Sequence, residues 1–140
     1  NAESDLLPGL VVDRYADFLI AQFLTLVVEA RKKEIVELLA EIFSPYGIYE
    51  RSDVDVRAKE GLPPAVGVLW GDAPPDRIEI CENKFRFRVD VKRGHKTGFY
   101  LDQRENRQRI RALAAGREVL DATVGGKLTI FPKVDYNSLF

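Results

Sequence analysis

Along this chain the spacing of apolar positions changes several times, and each change predicts an element. Leu10-Val11-Val12 and Phe18 to Phe23 read as two short strands around the polar run Asp13 to Asp17, a hairpin with a five-residue loop. Ile35, Leu38, Leu39 and Ile42 then recur at helical spacing, with Glu29, Arg31, Lys32, Lys33, Glu34, Glu37 and Glu41 on the remaining face. That pattern predicts an amphipathic helix over 28–43, supported by Glu29–Lys33 and Lys33–Glu37 pairs one turn apart and stopped by Ser44-Pro45. Tyr46 to Arg51 reads as a third strand, 52–64 as a polar loop, and Val66 to Trp70 as a further apolar strand.

A second hairpin is expected from Arg77–Glu82 and Lys84–Val91 around Glu82-Asn83. In its second strand Phe85, Phe87, Val89 and Val91 alternate with Lys84, Arg86, Arg88, Asp90 and Lys92, so one face is buried and the other is wet. Four cations and one carboxylate on that wet face suit either solvent or a phosphate backbone. Asp102 with Glu105 three residues on approximates a capping box, and a helix over 103–115 follows, carrying Arg104, Arg107, Arg109 and Arg111 and stopping at Gly116. Glu118 to Asp121 begins another strand, Gly125-Gly126 suits a turn, and Lys127 to Phe131 suits a strand. The remainder to Phe140 has no trusted period.

Composition adds limits. A 46% hydrophobic share over 140 residues is enough for a core, and the 31% charged residues solubilise the outside. The net charge of −1 conceals a basic concentration between 84 and 117 that suits a polyanion. A lone cysteine, Cys81, fits a reducing cytoplasm and a role as a small buried hydrophobe. One histidine and one cysteine make no zinc site, and no P-loop lysine motif occurs. No apolar run is long enough to cross a bilayer, so no membrane association is expected. His95 beside Asp90 or Asp102 has no nucleophile at a readable spacing, so no catalytic residue is assigned. Because the first residue is Asn1, the chain is expected to begin inside a longer protein.

Most of the unusual chemistry sits in Gly94-His95-Lys96-Thr97-Gly98-Phe99-Tyr100-Leu101-Asp102-Gln103-Arg104-Glu105-Asn106-Arg107. Together with Leu7–Tyr15 and Arg51–Leu62, in that order along the chain, this stretch resembles the AdoMet-dependent 23S rRNA (cytosine-C5) methyltransferases. Members of that family join a PUA domain, a small central β-β-α-β-β domain and a Rossmann-like methyltransferase domain.

The resemblance implies an α+β fold: a β-β-α-β-β type domain over 1–93, with an additional hairpin and a C-terminal helix. Residues 94–121 would be the linker motif, helix and first strand of a truncated methyltransferase domain, and 122–140 an atypical tail whose origin, native or non-native, the sequence leaves open. It further implies that Phe99, Tyr100, Asp102, Gln103, Arg104 and Asp121 lie near S-adenosylmethionine, and that Arg86, Arg88, Lys92 and Lys96 face rRNA. Aromatics suit the adenosyl group, while a carboxylate and an amide suit the amino-acid end. The family continues differently after Asp121, so this chain alone is expected to be inactive and to bind no cofactor. Strand edges left by truncation, or the tail, would permit a homodimer.

Overall fold

The computed structural model describes residues 6–114, 119–122 and 128–131, in a mixed α/β fold. The chain divides into two units, Asn1–Tyr100 and Leu101–Phe140.

The first unit is built on a four-stranded sheet of order β1-β2-β3-β4. Strands β1 (Leu10–Tyr15) and β2 (Phe18–Phe23) are antiparallel, with Tyr15 paired to Phe18. The connection is therefore two residues, Ala16-Asp17, and not the expected five. Asp13 to Tyr15 stay in the ladder, and Arg14 closes the turn by donating from Nε to the carbonyl of Ala16 at 2.8 Å. Ala16 adopts φ +51° there, a left-handed conformation that costs a non-glycine residue about 1–2 kcal/mol.

β2 runs parallel to β3 (Gly47–Ser52), and a parallel pair requires a crossover. The crossover is helical but is two helices, α1 (Leu26–Ala30) and α2 (Lys32–Phe43), where one was expected. They meet at Arg31, whose φ −103° and ψ 12° leave the helical region. Just beyond this break the Lys32 ammonium sits between two carboxylates, Glu29 at 2.7 Å and Glu50 of β3 at 2.9 Å. With Lys32 turned to the sheet, the residue one turn on, Val36, goes into the core. The stripe is consequently rotated from the expected one: Ile35, Leu39 and Ala40 pack beside Val36, while Leu38 is 50% and Ile42 67% exposed. Leu10, Leu19, Ala21, Phe23, Val28 and Ile48 complete this core. α2 stops at Ser44, in the left-handed region at φ 43°, immediately before Pro45.

Residues 52–64, expected to be a polar loop, contain a one-turn helix α3 (Val56–Lys59) whose Arg57 is 1% exposed. Arg57 is buried because its donors are used. It bonds the carbonyls of Phe23 and of Pro63 (2.8 Å) and the Glu29 carboxylate (2.9 Å). Strand β4 (Ala65–Gly71) returns antiparallel to β3.

The second sheet is the hairpin β5 (Ile78–Glu82) and β6 (Phe85–Val89). Asn83 and Lys84 both have positive φ, 51° and 71°, so the two-residue turn has the handedness that matches strand twist. β6 ends at Val89, two residues before the expected end. The Asp90 carboxylate accepts the backbone N–H groups of Lys92 (3.0 Å) and Arg93 (2.8 Å) and turns the chain. Cys81, expected to be buried, is exposed, since it shares the wet face with Glu79 and lies opposite Arg86.

In the second unit a 3₁₀ turn (Leu101–Gln103) leads into α4 (Arg104–Ala114). Asp102 therefore lies inside that turn, and not at the N-cap. β7 (Val119–Ala122) pairs antiparallel with β8 (Leu128–Phe131), Asp121 opposite Thr129. The expected stop at Gly116, the Gly125-Gly126 turn and Pro132–Phe140 lie outside the described residues. None of the described helices is long and apolar enough to cross a membrane.

Candidate functional site

Residues 91–100 carry the only histidine in the sequence and leave the hairpin as an irregular loop. Two glycines permit its shape. A Cβ on Gly94 would collide with the carbonyl oxygens of Asp90 and Gly98, and Gly98 adopts φ +130°.

The loop is tied to the four-stranded sheet by polar side chains inserted beneath it. Arg51 of β3 is 6% exposed; its guanidinium donates to the carbonyls of Val91 (2.7 Å) and Gly94 (3.1 Å) and to Asp53 (3.1 Å). Its own backbone carbonyl accepts from the Gln22 amide at 2.9 Å, so the arginine is held from both ends. Because guanidinium stays charged, burial is tolerable only with its donors satisfied in this way.

From β1, Asp13 accepts a 2.5 Å bond from the Thr97 hydroxyl, and Thr97 is fully buried. With that proton committed, Tyr15 donates to Thr97 Oγ1 at 2.9 Å. The phenol oxygen in turn accepts the backbone N–H of Phe99 at 3.2 Å. Burial, and secondarily the nearby Asp13 charge, push the Tyr15 phenol above its ordinary pKa, against the opposing bonds to Thr97 and Phe99. Tyr15 is thus a neutral donor at physiological pH. Two of the stretches that carry the family resemblance, Leu7–Tyr15 through Asp13 and Tyr15 and Arg51–Leu62 through Arg51, thus hold the first part of the third, Gly94–Arg107, by two separate sets of hydrogen bonds.

Anchored so, the loop splits its side chains. Thr97 points inward and Phe99 packs on Phe87 of β6, ring centroids 5.1 Å apart. His95, Lys96 and Tyr100 face out, with the Lys96 ammonium 4.6 Å from the centre of the Tyr100 ring and the His95 ring 6.2 Å away. Asp90, offered as a histidine partner, gives its carboxylate to backbone N–H groups instead.

The other residues expected near the cofactor lie in the second unit. Asp102 and Gln103 occupy the 3₁₀ turn, where the Gln103 amide donates to Asp102 at 3.3 Å and accepts from Asn106 at 2.7 Å. Arg104 opens α4, and Asp121 lies in β7. Of the residues expected to face RNA, Arg86 and Arg88 are exposed on β6, with Arg86 3.5 Å from Glu79. Lys92 lies past the strand, in the turn that follows, and pairs with Asp76 at 3.1 Å. Lys96 is on the loop beside Tyr100. Among the described residues no group of three or more His, Cys, Asp or Glu side chains is arranged to hold a metal.

Sequence reasoning passed over Asp13, Tyr15, Arg51 and Arg57 as site builders. Their one signal was membership of the two shorter motifs quoted for the resemblance.

Comparison with known proteins extends these observations. The family model described as S-adenosylmethionine-dependent methyltransferase matches residues 57–127. The chain is 49% identical over 120 residues to the ribosomal RNA large subunit methyltransferase I of Aliivibrio fischeri, an alignment spanning 86% of this chain and 30% of that protein. Among solved structures, a protein of Streptococcus mutans described as a SAM-dependent methyltransferase superposes with a TM-score of 0.67 at 29% identity, over 83% of this chain and 29% of its own. Another methyltransferase structure, complexed with SAH, gives 0.67 at 26% identity, over 84% and 29%. The chain thus spans about 30% of the length of the relatives it matches. With more than half of its residues matched by that family's model, the chain belongs to the S-adenosylmethionine-dependent methyltransferases.

Proposed function

We propose that the chain is a segment of an S-adenosylmethionine-dependent rRNA (cytosine-C5) methyltransferase, supplying the RNA-orienting domain and one wall of the cofactor site. In this reading the first four strands and their helical crossover are the family's central β-β-α-β-β domain, and 94–121 is the passage into the methyltransferase domain. The observation that carries it is that buried side chains of two family-like motifs, Asp13 and Tyr15 of one and Arg51 of the other, anchor the start of the third and so fix the loop leading to Phe99 and Tyr100. Relatives named for rRNA methylation, at 49% identity, support the substrate class.

The residues suit the cofactor in kind. Tyr100 offers a partly exposed aromatic ring, Asp102 a carboxylate and Gln103 an amide. When bound, the cofactor would supply the electrophilic methyl group; Phe99 and Tyr100 would pack on its adenosyl part, and Asp102, Gln103, Arg104 and Asp121 would serve its polar groups. No residue of this chain is assigned to the methyl-transfer step, so the chain by itself is expected to bind RNA without methylating it. Mixing it with labelled S-adenosylmethionine and a large-subunit rRNA fragment tests this. RNA binding without label transfer is expected, and stoichiometric label in cytosine would overturn the non-catalytic assignment.

A second reading is an RNA-binding or protein-interaction module with no enzymatic role, and the outward-facing Arg86 and Arg88 favour its RNA-binding form. The two separate on the longer protein: loss of methylation on Tyr100→Ala with RNA affinity unchanged supports the first, and unaltered methylation supports the second.

A further inference from the structure

At the base of the β5–β6 hairpin, Asp76, Arg77, Asp90, Lys92 and Arg93 line a cleft of about 220 Å³. Its charges are unequally used. Asp90 accepts two backbone N–H groups, and Asp76 pairs with Lys92. Among the described residues the guanidinium groups of Arg77 and Arg93 have neither a hydrogen-bond nor an ion-pair partner, although both line the cleft.

Two exposed arginines without a side-chain partner, lining a cleft whose carboxylates are already engaged, make a site for an anion. Guanidinium presents a planar fork of donors that matches phosphate oxygens. Metal cations are disfavoured by the three cationic side chains. The hairpin register indicates how a longer polyanion would continue. Glu79 pairs with Arg88 and Cys81 with Arg86, and Arg77 lies one residue outside β5 on the alternation that carries Glu79 and Cys81. Exposed arginines at 86 and 88 therefore extend the same face away from the cleft.

We infer that the cleft between Arg77 and Arg93 is a phosphodiester site, at which one stretch of the RNA backbone is gripped before it runs along the β6 face. The inference rests on the RNA reading above and deepens it by naming Arg77 and Arg93 as contacts. The turn held by Asp90 orders the backbone on one side of the grip, so the site is largely built before RNA arrives.

The test follows a 12-nucleotide single-stranded RNA, inorganic phosphate and polyglutamate by NMR of the ¹⁵N-labelled chain, with salt-dependent affinities for the Arg77→Ala/Arg93→Ala variant. RNA and phosphate are expected to shift the Arg77 and Arg93 Nε–H resonances. The double variant should bind RNA about tenfold more weakly, with a slope of log K against log salt shallower by about 1.4, at about 0.7 per lost single-strand phosphate contact. RNA affinity untouched by the double substitution overturns the site and leaves the RNA reading standing. No RNA binding even at low salt overturns both. Polyglutamate binding as tight as RNA overturns RNA as the occupant.

Discussion

Arg51 and Arg57 on one side, and Arg77, Arg88 and Arg93 on the other, put the same side chain to opposite uses. The first two are buried in the sheet domain with their donors spent on carbonyls and carboxylates. The others lie on the hairpin and its flanks, exposed to solvent. A buried guanidinium builds, because removing it strands every group it satisfied. An exposed one contributes little to the fold and stays available to a ligand. Basic residues in such a chain therefore divide by burial into those that shape the site and those that can meet a polyanion.

The sharpest way to break this division is Arg57→Ala. It leaves the Glu29 carboxylate and the Phe23 and Pro63 carbonyls without that donor, and should lower unfolding free energy by about 3–5 kcal/mol in urea titration. A loss under about 1 kcal/mol would show that Arg57 is not structural. Arg51→Ala should cost less, about 1.5–3 kcal/mol, the range for a hydrogen bond to a charged group; its main mark should be faster amide exchange across 94–100. Equal exchange in variant and parent would sever the loop from the sheet.

A smaller effect is expected from acid. Burial alone would raise the Glu29 pKa, but its bonds to Lys32 and Arg57 outweigh this and hold it below its ordinary 4.5. A carboxylate depressed in the folded state contributes stability above the unfolded pKa and loses it as pH falls through the folded one. Stability should therefore drop below about pH 4.5, and Glu29→Gln should flatten that slope; an unchanged slope would contradict the assignment. At the small end, Arg88→Ala should move stability by no more than about 0.5 kcal/mol. A larger loss would move Arg88 into the building class.

The elements legible in the sequence were those whose pattern is local. The strands near 18–23, 47–52 and 65–71, the charged hairpin and the helical crossover all follow from period and breakers. What escaped depends on distant partners. Arg57 stands in the charged run Asp53-Val54-Asp55-Val56-Arg57, which reads as solvated until Phe23 and Glu29 are known to lie beside it. Tyr15 and Asp13 looked like turn residues because Thr97, more than eighty positions away, supplies the reason they remain in a strand. The helix face was misjudged by one step because Lys32, a cation, points to the sheet and meets Glu50. Cys81 was assigned to the core on residue type, against its own alternation. The loop at 94–100 was recognisable as unusual, yet only its glycines hinted at how tightly it is folded.

The sheet domain pre-sets this loop through buried polar bonds. Amide hydrogen exchange at Phe99, compared between the parent chain and Tyr15→Phe, tests it most directly, because the phenol oxygen is the acceptor for that N–H. A protected Phe99 amide is expected in the parent, with a loss of protection in Tyr15→Phe while β2 and β3 amides stay unchanged. A Phe99 amide that exchanges as fast as an open chain in the parent, or equally slowly in both proteins, would contradict it.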